Sequence, residues 1–267
     1  MMLPSLVASD LDGTFLDTGK RVSERNAAAV HRLKELGIPF VVATGRPARW
    51  LQCLEPICDT HPYVLASNGA VVFDLAEHRI LESFPVPREV CLDVAARMRE
   101  RCPDVSFGVE YGIGWGREPE SPLRGDMVEA EHIGHLAEIT EGRPFVKLLV
   151  VSREMDSDRL AERLMDLCDG LLTCTWSMGG PLGLLEVSAP GVTKASTLAR
   201  LCDELGVDIS RAVAFGDMPN DLEMLREVGS GYAMADAHPL LVNAGLPRAG
   251  SHDESGVAQV LERLLTS

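Results

Sequence analysis

Several kinds of segment are missing from this 267-residue chain, and each absence excludes a class of protein. No apolar run approaches the roughly 18 residues that span a membrane, so we expect no membrane partner. The N-terminus, Met1 to Ser9, has no basic residue and only a short apolar stretch, which argues against a signal peptide. The seven cysteines are odd in number and scattered, without a Cys-x-x-Cys pair. We therefore expect a cytoplasmic protein with reduced cysteines and without a zinc site.

Positive charge is also in short supply. The chain carries 25 basic and 40 acidic residues, for a formal net charge of −15. Such a chain repels the phosphates of nucleic acids, so a nucleic-acid partner is not expected. A small anionic substrate would then need a local positive group, either a metal ion or a lysine.

Apolar runs alternate with helical patterns in the first part of the chain. Strands are predicted at Leu3 to Ala8, Ile38 to Ala43 and Tyr63 to Ala66. A helix capped by Ser23 and a helix opened by Pro47 separate them. This alternation predicts a parallel sheet with helices on both faces, in which ligands bind beyond the carboxyl ends of the strands.

The pattern changes in the middle of the chain. After a predicted hairpin, helix and strand patterns mix, and a glycine- and proline-rich stretch, Tyr111 to Gly125, has no predicted structure. About a hundred residues is the size of a small domain. From Val192 the α/β alternation resumes. The predicted fold is therefore an α/β, doubly wound parallel-sheet core interrupted by an inserted α+β domain, with boundaries at residues 1–83, 84–187 and 188–267.

The stretch Asp10-Leu11-Asp12-Gly13-Thr14 directly follows the first predicted strand. If the strand geometry persisted, its two carboxylates would point to one face and repel each other. A magnesium ion and a bound phosphate would give the pair a use, with one carboxylate as nucleophile and the other as acid and base. The alternative is an ordinary Asp-Gly turn, and on this stretch alone both interpretations stay open.

Two further polar clusters follow predicted strands. Thr44-Gly45-Arg46 offers a hydroxyl and a glycine N–H that could bind phosphate oxygens, although such turns are often only structural. Gly216-Asp217-Met218-Pro219-Asn220-Asp221 follows the strand Ala212 to Phe215. Asp217 is placed to complete a magnesium site with Asp10, because magnesium prefers oxygen ligands. A helix cap is the alternative, and it explains only part of this cluster.

Lys194 opens a predicted helix, where a cation is mildly disfavoured by the helix dipole. It is either an ordinary solvated lysine or a group that neutralises phosphate charge, with Asp221 orienting it.

These four clusters, in this order, resemble the motifs of the haloacid dehalogenase-like hydrolase superfamily. The insert, together with Ser67-Asn68-Gly69-Ala70, resembles the Cof-type phosphatases with a C2 cap. One departure is Ala195, where glycine often follows the lysine. The resemblance implies a Rossmann-like core and a Mg²⁺-dependent phosphatase that hydrolyses phosphate monoesters of small metabolites, such as sugar phosphates, through an aspartyl-phosphate.

The resemblance also implies a role for each motif residue. Asp10 would be the nucleophile and Asp12 the acid and base. The metal ligands would be the Asp10 carboxylate, the Asp12 backbone carbonyl and Asp217. The residues that would bind phosphate are Thr44, Gly45, Lys194 and Asn220. Asp221 and Thr14 would support the site from behind these residues, and the candidate substrate contacts are Arg46 and Asn68.

Two rival functions stay open at this point. A phosphomutase on the same fold would return the phosphate to a second hydroxyl, and a sensor of phosphorylated metabolites would bind without turnover. An intact Asp12 argues against the sensor, since a pure binder needs no acid and base. The insert is expected to close over the site and exclude water. The sequence leaves the substrate and the oligomeric state open.

Overall fold

Two β-sheets organise the chain, whose computed structural model describes residues 3–123, 129–176 and 182–266. The strands are β1 (Val7–Ser9), β2 (Phe40–Ala43), β3 (Tyr63–Ala66), β4 (Val71–Asp74), β5 (Arg79–Ser83), β6 (Ser106–Glu110), β7 (Trp115–Arg117), β8 (His132–Ile133), β9 (Lys147–Ser152), β10 (Thr173–Thr175), β11 (Gly183–Ser188), β12 (Val213–Gly216) and β13 (Ser230–Ala233). The α-helices are α1 (Glu24–Glu35), α2 (Arg88–Arg101), α3 (Leu136–Ile139), α4 (Ser157–Leu164), α5 (Lys194–Leu205), α6 (Leu222–Glu227), α7 (Pro239–Val242) and α8 (Gly256–Leu265).

The first sheet forms the core. Within the described ranges its strand order is β13-β12-β1-β2-β3-β4-β5. The strands from β13 to β3 run parallel, whereas β4 and β5 are antiparallel to their neighbours. The carboxyl ends of β12, β1, β2 and β3 therefore lie side by side, and the loops that follow them share one rim of the sheet.

Helices cover both faces of this sheet, because alternate strand residues point to opposite sides. On one face, Val7 and Val42 pack in a cluster with apolar residues of α1 and α8. On the other face, Ala8 and Ala214 pack with residues of α5 and α6. This three-layer arrangement confirms the predicted doubly wound fold.

The second sheet belongs to the inserted segment and is called the cap sheet here. Among the described residues its order is β10-β11-β9-β6-β7-β8, and its pairs are antiparallel except for β7 with β8. Phe107, Leu148 and Val150 point to the face covered by α2 and α4. The residues of β6 and β9 that alternate with these point to the opposite face of the cap sheet. That face contacts the core through Glu110 and Lys147.

Two local expectations differ from the structure. The helix predicted from Pro47 is replaced by two 3₁₀ helices, Ala48–Trp50 and Gln52–Thr60, the second of which contains Pro56. A proline there removes the N–H that an α-helical bond needs, so a regular helix cannot run through it. The stretch from Tyr111, for which no structure was predicted, contains β7 in its described part, while Arg124 and Gly125 lie outside the described residues.

The domain boundaries remain a prediction, although β11 runs through Ser188, one residue beyond the predicted end of the insert. In the ranges that the structure describes, no helix combines the length and the apolar character needed to cross a membrane.

Candidate active site

A buried ion pair lies at the centre of the core rim. Asp10 directly follows β1, and its backbone N–H donates to the carbonyl of Phe215 on the neighbouring β12. Lys194 is the first residue of α5, which Thr193 caps by accepting a hydrogen bond from Ser196. The Lys194 ammonium lies 2.6 Å from Asp10 Oδ1, and both residues are buried. This lysine is therefore not a solvated surface residue, which excludes one of the two alternatives that the sequence left open; its role toward phosphate stays a prediction.

Lys194 also bonds Asp221, at 2.7 Å. The second oxygen of Asp221 accepts hydrogen bonds from the backbone N–H groups of Asp217 and Met218. Asp221 is fully buried and thus ties the turn after β12 to the start of α5. The two carboxylates offset the unfavourable position of a cation at a helix N-terminus, and they hold the Lys194 ammonium in place.

Three carboxylates converge beside this lysine. Asp10, Asp217 and Asp221 each offer an oxygen, and these oxygens lie within 4.8 Å of one another. Burial raises the pKa of Asp10 well above its ordinary value, against the Lys194 ammonium, which acts to lower it. Burial and the Asp221 carboxylate raise the pKa of Asp217 to about 7. Such shifts indicate a shortage of positive charge that a divalent cation would correct, and oxygen donors are the ligands that Mg²⁺ prefers.

A glycine directly after Asp12 is needed for the Asp217 carboxylate to lie so close to the Asp10 loop. Gly13 has φ of +81°, and a Cβ at this position would lie 2.3 Å from Asp217 Oδ2. The buried Thr14 donates its hydroxyl to Asp217 Oδ1 at 3.1 Å. Gly13 therefore makes room for the Asp217 carboxylate, and Thr14 orients it, so the turn chemistry and the site geometry depend on the same residues.

Asp12 does not join the carboxylate cluster through its side chain. Its carboxylate accepts two hydrogen bonds from Arg46, at 2.6 and 2.8 Å, and one from Lys20 at 2.6 Å. Burial acts to raise the pKa of Asp12, but the bonds from Arg46 and Lys20 hold it below its ordinary value. In this arrangement Asp12 is ionised, which suits a base and not an acid.

The guanidinium of Arg46, a candidate substrate contact, is therefore already engaged in hydrogen bonds within the protein. Besides Asp12, its guanidinium bonds the Trp50 carbonyl and Cys53 Sγ. A contact with substrate would have to replace some of these bonds. The sequence gives no signal for Lys20, since a basic residue in the loop after Asp12 carries no motif of its own.

The turn after β2 is bonded to the loop after β3. The Thr44 hydroxyl accepts the N–H of Arg46 at 3.1 Å. The Thr44 and Arg46 carbonyls accept the N–H groups of Asn68 and Ser67, at 2.8 and 2.9 Å. Because its oxygen already accepts from Arg46, the Thr44 hydroxyl keeps its hydrogen free to donate to another group.

Asn68 and Asn220 are brought together at the same rim. Asn220 Nδ2 donates to Asn68 Oδ1 at 3.0 Å, and Asn68 Nδ2 donates to Thr175 on the cap sheet at 3.2 Å. Asn220 Oδ1 is buried without a hydrogen-bond partner. The pair thus bridges core and cap. Asn68 lies at φ +60°, a conformation that asparagine tolerates better than most residues.

The sequence matches the family of haloacid dehalogenase-like hydrolases over residues 7–261. The chain belongs to this family. A curated relative, the 5-amino-6-(5-phospho-D-ribitylamino)uracil phosphatase YbjI of Escherichia coli (strain K12), is 30% identical to this hydrolase over 97% of its chain and 96% of the relative. The HMP-PP phosphatase of Shigella flexneri is 28% identical, over 91% and 88% of the two chains.

Solved structures support the fold of the hydrolase. SMU.1108c from Streptococcus mutans UA159 has a TM-score of 0.84 and 24% identity, covering 99% of this chain and 100% of that chain. The phosphatase BT1666 from Bacteroides thetaiotaomicron has a TM-score of 0.82 and 23% identity, covering 99% and 96%. The family match and the 30% identical relative confirm the predicted membership in this superfamily and its hydrolase activity, while the solved structures support the fold alone.

Proposed function

We propose that this hydrolase is a Mg²⁺-dependent phosphatase that hydrolyses phosphate monoesters of small metabolites. The observation that carries the proposal is the meeting of Asp10, Asp217 and Asp221 around the buried Lys194. An all-oxygen donor set fits magnesium, and we assign the metal to the Asp10 carboxylate, the Asp12 backbone carbonyl and Asp217. A bound Mg²⁺ would neutralise charge on the phosphoryl group and keep Asp10 ionised.

The chain's own residues would act in two steps. First, the Asp10 carboxylate would attack phosphorus and form a bond to it while the bond to the leaving alkoxide breaks. Asp12, which takes up a proton from solvent once the ester draws Arg46 away from it, would give that proton to the alkoxide. Second, Asp12 takes a proton from water, whose oxygen attacks phosphorus and releases Asp10 and inorganic phosphate. Thr44, the Gly45 N–H and Lys194 would hold the phosphoryl oxygens, with Asn220 nearby.

The substrate class follows from the net charge of the chain and from its relatives. The chain is acidic overall, and Lys194, Lys20 and Arg46 supply positive charge at this rim, which favours a small anion over a polyanion. The named relatives act on a phosphorylated ribitylaminouracil and on HMP-PP. We therefore propose phosphorylated small metabolites, including sugar phosphates, as substrates. Seven free cysteines support a reducing, cytoplasmic location.

The test is release of inorganic phosphate from an aryl phosphate, with Mg²⁺ and with EDTA, followed by a panel of sugar phosphates and the two relatives' substrates. Asp10→Asn should abolish turnover, whereas Asp59→Asn, on an exposed carboxylate, should not. Turnover without metal, or a fully active Asp10→Asn variant, would refute the proposal. An isomerised product without free phosphate would instead indicate a phosphomutase.

A further inference from the structure

A second buried lysine lies at the junction of cap and core. Lys147 is the first residue of β9 on the cap sheet, and it is fully buried. Its ammonium lies 2.5 Å from Glu186 Oε1 on the adjacent β11 and donates to the carbonyl oxygen of Gly45 at 2.8 Å. The proposed reaction does not use Lys147. A buried ammonium is costly unless it is paired and hydrogen-bonded, and an apolar residue would fill the same space at lower cost.

The bond to Gly45 connects the cap with the turn that carries Thr44. The Gly45 carbonyl and the Arg46 N–H belong to one planar peptide unit and point in opposite directions. Lys147 holds the carbonyl end, and the N–H end donates to the Thr44 hydroxyl. The orientation of this single peptide therefore links the cap lysine to the hydroxyl that we assign to phosphate binding.

A neighbouring contact shows that the cap reaches both rim loops. Glu110, on β6 of the cap sheet, accepts the Ser67 hydroxyl at 2.7 Å and a bond from Arg49 at 3.3 Å. Glu110 Oε2 also lies 3.9 Å from the Lys147 ammonium. All of these side chains are buried, so solvent does not weaken the bonds by competition.

We propose that Lys147 is a positioning residue for phosphoryl transfer, which holds the Gly45–Arg46 peptide so that the Thr44 hydroxyl faces the phosphoryl group. This inference rests on the proposed phosphatase function. The cap sheet then contributes to the phosphate-binding turn itself, in addition to any contact with the rest of the substrate. A displacement of about 1 Å in such a group can cost about 100-fold in rate.

Lys147→Met removes the ammonium and keeps a side chain of similar length. The double variant Lys147→Met/Glu186→Gln also replaces the buried carboxylate that the ammonium offsets, which protects folding. Val150→Ala, on the same strand but on the face covered by helices, is the matched control for lost cap stability. All variants are compared well below their melting temperatures.

The expected result is a fall in kcat of about 10- to 100-fold in both Lys147 variants, with KM little changed. The factor should be equal for a small aryl phosphate and for a sugar phosphate, because the defect lies at the phosphoryl group. Inhibition by orthovanadate should weaken in parallel. Val150→Ala should lower the melting temperature and leave kcat unchanged.

Hydrogen exchange gives a readout that needs no turnover. In the double variant, the peptide containing the Arg46 amide should exchange faster than in wild type and in Val150→Ala. Wild-type kcat in the double variant, a loss confined to one substrate, or an equal loss in Val150→Ala would overturn the proposal. An inactive wild-type protein would refute the phosphatase function, while hydrogen exchange would still decide the role of Lys147.

Discussion

Removing the charge of Lys194 should destabilise the metal-free protein strongly. In Lys194→Met, the Asp10 and Asp221 carboxylates lose the ammonium that lies 2.6 and 2.7 Å away. Removing one partner of a buried pair costs about 3–5 kcal/mol. Each kcal/mol shifts the melting temperature by about 2–4 °C in a chain of nearly this size. We therefore expect a fall of roughly 6–20 °C in EDTA, measured by thermal unfolding at pH 8.

Magnesium should restore more stability to this variant than to wild type, because the carboxylates then gain a cation in place of the ammonium. Phosphatase turnover should still fall by about 100-fold or more, since a donor to the phosphoryl group is lost. Lys34→Met is the matched control, because that lysine is half exposed and pairs with Asp59 at the surface. A melting temperature and a Mg²⁺ response equal to those of the control would refute the assignment of Lys194.

Three other outcomes are expected. Relative to Asp217→Asn, the metal-free protein should lose stability between about pH 4 and pH 7, measured by urea unfolding. In this range the unfolded chain has already released the Asp217 proton, whereas the folded protein keeps it up to its raised pKa of about 7; a gain would contradict this sign. Gly13→Ala should abolish turnover, because the added Cβ would collide with the Asp217 carboxylate. The control is Gly37→Ala, which has a similar φ but open space around it, and it should cost only about 1–2 kcal/mol in stability. Arg46→Gln should raise the pKa of Asp12. Because Asp12 is the acid in the first step, the basic limb of the kcat/KM profile should then move to higher pH, and an unmoved limb would contradict the Asp12 assignment.

The rim was predictable from the sequence because its residues follow strands. Asp10, Thr44 and Asp217 each come directly after an apolar strand, and the parallel order of β12, β1 and β2 brings those strand ends together. Lys194 has no such strand before it. Its place beside Asp10 depends on how α5 packs on the sheet, so the residues alone left its role open and the resemblance to a known family favoured the site.

The contacts between cap and core could not be predicted in the same way. Lys147 interrupts an apolar run, and Glu110 follows one, so each resembles a polar residue of an ordinary half-exposed strand. Their burial depends on the cap sheet meeting the core rim face to face, a tertiary contact with no local pattern. The hydrogen bonds from Arg46 and Lys20 to Asp12 could not be predicted either. Arg46 is distant from Asp12 in sequence, and Lys20 lies on the opposite side of a turn.

Two sequence-based expectations, Asp12 as acid and Arg46 as substrate contact, are physically linked by the structure. With Arg46 and Lys20 bonded to it, Asp12 is ionised and has no proton to give a leaving group. A phosphate ester bound at the same rim would bring negative charge and would compete for the Arg46 guanidinium. A carboxylate that loses such a partner has a higher pKa and holds a proton more readily. Binding of the ester by Arg46 would thus prepare Asp12 as an acid, and its departure would restore the base that the water step requires.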